Sequence, residues 1–309
     1  MTILVTGAGG TVGGVGQRVV ELLRRRDLPV RAFVHHDDER AGPLRDLGAE
    51  VVAGDLTHGA DVLHAMNGCD RVYFGLGVND RYLEATVTAA AAARQLGGIE
   101  VFVNMSQMTV SQMSIISSVE SRQHHQQWLG ERVLDWSALP VVEIRPTAFL
   151  ENPIFTASIL DSIERDGTIR LPFGTARTSP VLAGDVAEVV ATVLAAPRQH
   201  VGRVYELTGP RPVTAVELAV QFAEALGRPV TYVDLPYRRW VDEVLTPLGL
   251  PEHVAEHLAT MVRLHALGRF DRHSDDLEHI LGRPPRGVAD YVNELRSGRV
   301  RSGAGHGST

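Results

Sequence analysis

Two features of the chain predict an α/β fold built on a doubly wound parallel sheet. Six short runs, "ILVT" (3–6), "VRAFV" (30–34), "EVVAG" (50–54), "RVYFGLG" (71–77), "EVFVNMS" (100–106) and "PVVEIRPT" (140–147), alternate with helix-length segments. Their continuous Val, Ile and Leu character is that of strands covered on both faces, not of strands with one wet side. The first run also ends in a glycine-rich turn that opens a helix, the order of a Rossmann-type sheet.

The elements follow in order. The glycine turn leads into a helix around "GQRVVELLRRR", whose closing arginines complement its dipole. A helix near "AGPLRDLG" separates the second and third strands, and the alanine-rich helix 80–96 follows the fourth. "ESRQHHQQWLGERVL" (120–134) reads as the helix between the fifth and sixth strands. Beyond residue 150 come a helix over 153–165, a short "IRLPFG" turn, a helix over 184–195 and a strand in "VYELTGP". "VTAVELAVQFAEALG" (213–227) carries Thr214 as N-cap with Glu217 three residues on, and Gly227 as its stop. "PVTYVDLP" is a further strand. The expected organisation is a nucleotide-binding unit over 1–150, with sheet-completing pieces from about 178–208. A smaller, mostly helical cap covers 151–296, and a disordered Gly/Ser-rich tail covers 297–309.

Composition excludes several classes. The 309 residues carry a net charge of −7, which argues against a nucleic-acid binder. A single cysteine, Cys69, rules out internal disulfides and reads as a buried thiol. No apolar run approaches the ~20 residues needed to span a bilayer, and "MTILVTG" offers no signal-peptide pattern, so the expected location is the cytoplasm. All 30 basic residues are arginine. Without lysine, no lysine base, Schiff base or cofactor anchor exists.

The turn "TGAGGTVG" places Gly7, Gly10 and Gly13 in a GxxGxxG spacing, with Thr11 and Val12 between the last two. Glycine lets the backbone turn tightly and approach a pyrophosphate, which the helix N-terminus then receives. Asp55 and Leu56, in "GDL", end the third strand where they would bracket an adenine. Gly75, Leu76 and Gly77 end the fourth and admit the cofactor to the backbone. At the end of the second strand an acid selects NAD and an arginine NADP. Here "AFVHHDDER" puts His35 at that point, with Asp37 and Asp38 beyond it, so His35 and Arg40 lean toward NADP(H) over NAD(H).

With "ILVTGAGGTVG", "GDL", "NMSQMTVSQMS", "RPTAFLEN" and "AGDVAEVVA" in this order, the chain resembles the NmrA-like branch of atypical short-chain dehydrogenases from about residue 2 to 295. The resemblance implies a nucleotide-binding unit, a small carboxyl-terminal unit and a substrate cleft between them. It also implies one of two functions: an NAD(P)H-dependent reductase, or a non-catalytic NAD(P)-sensing regulator. In the wider superfamily a serine, a tyrosine and a lysine four residues later run the reaction. Here the tyrosine position falls on Gln123, or on His124 after a shift of one, and the lysine position on Gln127; Ser106 stands for the serine.

The candidate catalytic set is therefore Ser106 to polarise an acceptor oxygen, His124 (or His125) or else water to donate a proton, and Gln127 in place of lysine. A histidine with a pKa near ~6.5 suits that work, although a solvated face for both histidines is the plainer alternative. Pro146, after the sixth strand, should face the nicotinamide. Gln107 and Met108, in the loop after the fifth strand, and Phe149 should meet the substrate, with a packed loop core the equal alternative for the methionines. "HVAEH" sets His253 and His257 at i, i+4, which reads as a solvated face, and no metal site is expected. The expected reaction is hydride transfer to a quinone or to the ketone of an aromatic or polyketide-like molecule. A small apolar or aromatic substrate is the expected partner, with no nucleic acid and no membrane, in a monomer or homodimer. Loss of a general acid costs only ~10²–10⁴-fold, so such acceptors remain reducible, and Ser106→Ala is expected to impair turnover.

Overall fold

A computed structural model describes residues 1–10 and 14–297. The strands are β1 (Ile3–Thr6), β2 (Val30–Val34), β3 (Glu50–Ala53), β4 (Arg71–Phe74), β5 (Val101–Met105), β6 (Val141–Pro146), β7 (Thr168–Leu171), β8 (Arg177–Thr178), β9 (Val204–Leu207), β10 (Val213–Thr214) and β11 (Thr231–Asp234). The helices are α1 (Val15–Arg24), α2 (Ala41–Asp46), α3 (Gly59–Met66), α4 (Tyr82–Leu96), α5 (Arg122–Trp136), α6 (Pro153–Phe155), α7 (Asp161–Asp166), α8 (Ala183–Ala195), α9 (Ala215–Leu226), α10 (Tyr237–Trp240), α11 (Glu252–Ala266), α12 (Asp276–Leu281) and α13 (Val288–Arg296).

The main sheet runs β3-β2-β1-β4-β5-β6-β9, parallel throughout. The strand in "VYELTGP" thus completes the sheet at its edge. Both faces are covered, as the unalternating strands require. On one face α1 and α8 bury Val19, Val20, Leu23, Val186, Val189, Val190 and Val193. On the other, α3, α4 and α5 bury Val62, Ala85, Ala89, Ala93 and Leu134. The alanines of α4 hold α5 close: a Cβ on Gly130 would sit 3.4 Å from Thr86. The order in which successive strands are added reverses between β1 and β4, and ligands bind at such a switch point, outside the carboxyl ends of the strands.

A second core gathers Ile154, Phe155, Ile169, Leu218, Phe222, Trp240, Leu258 and Tyr291 from the later elements. α9 carries the expected capping box: the Thr214 N–H donates to Glu217 Oε2 at 2.8 Å, and the Glu217 N–H to Thr214 Oγ1 at 3.2 Å. Gly227 ends it with φ 69°. The "IRLPFG" segment departs from expectation. It is strand β7, paired in parallel with β11, with Ile169 and Leu171 buried. Four residues between Gly167 and Pro172 are too few for a periodicity to distinguish strand from turn, and only the β11 partner decides it. The helix over 153–166 contains a π-helical stretch at Thr156–Leu160. Cys69 is buried, and burial pushes its thiol up. Of the predicted disordered tail, residues 298–309 lie outside the described residues. Among the described residues, no helix is long and apolar enough to cross a membrane.

Candidate active site

The glycine turn is built by mutual contact at the switch point. Gly7 leaves β1 with φ 67°, and a Cβ there would lie 2.4 Å from the Gly75 carbonyl oxygen at the end of β4. That approach needs a residue with no side chain and left-handed freedom. The Gly10 N–H donates to the Gly7 oxygen at 3.0 Å, and the Thr6 hydroxyl exchanges hydrogen bonds with the Gly75 carbonyl and N–H, both 2.9 Å. Gly16, in the first turn of α1, has the close-packing role: its Cβ would fall 2.6 Å from the Gly7 oxygen. Thr6 and Gly16 escape the sequence reading, although a further glycine at this distance is its visible trace. The predicted cofactor residues Thr11, Val12 and Gly13 lie outside the described residues.

Around this turn the other predicted positions gather. Gly75 is buried, Leu76 half-buried and Gly77 exposed with open space before its Cα. Asp55 and Leu56 form the lip beyond β3. Asp55 accepts the Thr57 N–H at 2.8 Å and the Thr57 hydroxyl at 2.7 Å, which hold its carboxyl below the usual range. Beyond β2, His35 is exposed and its ring lies 4.0 Å from that of His36. Arg40 leans back over the turn, with Nη1 3.4 Å from the Gly9 oxygen. It also grips Asp38 at 2.5 Å, and this pairing draws that carboxyl down to about 2.

The catalytic expectations fare differently. Ser106 is 4% exposed, and its hydroxyl donates to Glu131 Oε1 at 2.6 Å. Its proton is therefore directed inward, to the carboxylate and not to open space. Glu131 is completely buried and also takes Arg145 in a fork, Nε to Oε1 at 2.9 Å and Nη2 to Oε2 at 2.5 Å. Beside it Asn104 donates to Glu143 at 2.7 Å, and burial followed by the Glu131 charge pushes Glu143 above the carboxylate range. The sequence reading misses this cluster, since one glutamate on a helix carries no signal until Arg145 and Ser106 meet it.

His124 is 1% exposed, not solvated. It serves the N-cap of α5: the Ser121 N–H donates to its Nδ1 at 3.2 Å. Its ring faces that of His257 on α11, 4.6 Å between centroids, and both Nδ1 atoms lie within 2.9 Å of the Ser121 hydroxyl. Burial, with the His257 charge second, lowers its pKa well below the ordinary histidine value. His124 is thus a neutral imidazole and not the expected proton donor. His257 likewise departs from its expected solvated face; burial takes it down to about 4. Helix periodicity names a face but not its cover, and α11 covers this one.

The glutamines take the wall instead. Gln123 Oε1 accepts the Asn79 N–H at 3.0 Å, tying α5 to the loop after β4. Gln126 accepts the Leu83 N–H at 3.0 Å and donates to the Asp80 oxygen at 2.9 Å. Gln107 Oε1 accepts the Thr109 N–H at 3.0 Å at the start of the 3₁₀ turn Met108–Gln112. Buried amide atoms remain without partners: Gln107 Nε2, Gln123 Nε2 and Gln127 Oε1. Met108 is completely buried and offers no substrate wall; it fills the protein's own core. Pro146 is buried at the end of β6, and Phe149 is half-buried, bridged to Val181. The segment before α5 exposes Ile115 (73%), Ile116 (85%) and Val119 (52%), apolar surface that the sequence reading does not single out. Among the described residues, no cluster of His, Cys, Asp and Glu could hold a metal.

This geometry can be set beside known proteins. The model of the NmrA-like family matches residues 1–289. The chain belongs to the NmrA-like family. An NAD(P)H azoreductase of Xenophilus azovorans is 29% identical over 298 residues, 94% of this chain and 96% of that protein. A (4-alkanoyl-5-oxo-2,5-dihydrofuran-3-yl)methyl phosphate reductase of Streptomyces griseus is 30% identical over 294 residues, 94% of this chain and 97% of that one. In fold, an NADPH-dependent quinone oxidoreductase from Escherichia coli, solved with NADPH, superposes with a TM-score of 0.80 at 23% identity, covering 96% of this chain and 100% of that one.

Proposed function

We propose that this chain is an NAD(P)H-dependent reductase that passes hydride to a quinone, or to the ketone of an aromatic or polyketide-like molecule, without a Tyr–Lys pair. The observation that carries the reading is the pairing of a glycine cradle at the switch point with a wall of non-titrating amides beside it. The reduced nicotinamide, when bound, supplies hydride, so that a quinone with one water proton becomes a hydroquinone and a ketone an alcohol. Gly7, Gly10 and Gly75 bring bare backbone to the pyrophosphate, and Gly77 leaves space beside it. Asp55 and Leu56 edge the adenine. His35 and Arg40 receive a 2′-phosphate, which favours NADP(H) over NAD(H). Gln127 Oε1, a buried acceptor with no partner, takes the ribose hydroxyls that a lysine serves elsewhere in the superfamily.

Three lines support an acceptor that needs no enzymic acid. His124 is neutral, Ser106 is committed to Glu131, and no lysine exists. The reaction then depends on holding donor and acceptor in register, which binding supplies. Phe149 and the exposed Ile115, Ile116 and Val119 provide apolar contact for a flat, small molecule. The azoreductase and the phosphate reductase among the relatives support the reaction type. The test is loss of reduced-nicotinamide absorbance, with NADPH and with NADH, against quinones, azo dyes and aromatic ketones. Enzyme-dependent loss is the expected result. Cofactor binding without turnover on any acceptor would replace this reading with a non-catalytic NAD(P)-sensing regulator.

A further inference from the structure

Three glutamines of α5 and one of the preceding 3₁₀ turn differ in a way that identifies a ligand's chemistry. Gln126 is the internal control: both ends of its amide are satisfied by the loop at 80–83. Gln123, one turn back and 5% exposed, has only its oxygen satisfied, by the Asn79 N–H. Gln107 repeats the arrangement, its oxygen taken by the Thr109 N–H. A backbone N–H can only donate, so in both residues the amide cannot flip and the free end is the NH2. Those two nitrogens are buried and have no acceptor in the protein. Buried donors are seldom left unmade, and each such exception needs an account. Both stand at the carboxyl edge of the sheet, where the turn after β5 packs on α5 and the loop after β4 comes across to Gln123.

We infer that Gln107 and Gln123 form a donor pair for the acceptor atoms of the substrate, and that this pair selects molecules whose reactive edge accepts hydrogen bonds and donates none. A quinone carbonyl or the nitrogen of an azo group has that character; the corresponding hydroquinone or hydrazine can accept from the NH2 groups only by turning its own O–H or N–H away, and offers a poorer match. The same pair thus binds the oxidised molecule and weakens its hold on the reduced one. This inference rests on the reductase reading above. Gln127 presents the opposite polarity, a free acceptor, and so does not belong to the pair.

The test measures binding without turnover. Menadione is titrated calorimetrically into the protein saturated with NADP⁺, a complex that cannot react, and NADP⁺ is titrated separately. Gln107→Met and Gln123→Met keep the side-chain volume and remove the whole amide, the NH2 donor together with the oxygen that accepts the Thr109 or Asn79 N–H. Each should weaken menadione about tenfold, the scale of one hydrogen bond, and leave NADP⁺ affinity unchanged. If either variant fails to fold, Gln123→Glu retains the acceptor for Asn79 and places an oxygen where the NH2 stood, and must weaken menadione at least as much. Unchanged menadione affinity in both Met variants overturns the inference, as does a loss that falls on NADP⁺. Failure of the wild type to bind menadione overturns it too. Wild-type binding that responds to the variants, with no NADPH oxidation by menadione, upholds the donor pair and removes the reductase reading instead.

Discussion

The glycine turn and helix α5 are built on opposite terms. On one side, β1 and β4 end in glycines that touch each other, and the wall is backbone held in place by the absence of side chains. On the other, α5 presents long polar side chains, each fixed by a partner distant in sequence. The glycine wall tolerates no added atom and has few alternatives. The α5 wall is a network, in which the function of each residue depends on which of its atoms are already taken. Ser106 and Gln123 make the contrast concrete. The serine sits at the expected place with its hydroxyl spent on Glu131, while a residue with no acid–base chemistry keeps a free donor.

The largest effect should come from the glycine wall. Gly7→Ala puts a methyl 2.4 Å from the Gly75 oxygen at a positive φ. It should cost about 3 kcal/mol or more of stability and abolish cofactor binding. A thermal melt and a cofactor titration check this, and near-normal affinity would break the comparison. Next, Glu131→Ala leaves Arg145 buried without its partner and should cost roughly 3–5 kcal/mol in chemical denaturation. Ser106→Ala should cost only about 1 kcal/mol and leave kcat within a fewfold. A large fall in kcat at unchanged stability would return Ser106 to the chemistry.

A third effect is a pH dependence. His257 titrates at about 4 in the folded protein, against 6.5 when free. The unfolded chain therefore binds the proton first, and stability falls as pH drops from 6.5 toward 4. The neutral group of this interface contributes roughly 3 kcal/mol across that window. His257→Phe should flatten the slope measured by denaturation at a series of pH values. His124, lowered well below the ordinary value in the same contact, and His265, buried and also at about 4, leave a residual slope of the same sign. The smallest effect belongs to the rim. Arg40→Ala should raise the KM for NADPH about tenfold, as loss of one charge-assisted contact does, and leave that for NADH near its original value. Equal effects on both cofactors would remove Arg40 from the selection.

Much of the fold was legible because it rests on local pattern. The unalternating strands, the glycine turn, the Thr214–Glu217 box and Gly227 are each decided by neighbours within a few residues. β7 was not, since a four-residue strand is stabilised by β11 some sixty residues later. The site divided along the same line. The tight turn at Gly7, Gly10 and Gly75 was legible as a turn, because the need for a missing side chain is written in the residue type itself. The histidines could not be placed, because exposure is a property of what covers a helix and not of the helix.

The amino-acid sequence by itself determined the α/β architecture, the place of the glycine turn and the absence of any lysine. The tertiary structure alone decided which polar atoms are free. Residue type sets how many donors and acceptors a side chain has. Only the packed fold uses some of them up, turning Ser106 and His124 inward and leaving the NH2 groups of Gln107 and Gln123 without a protein acceptor.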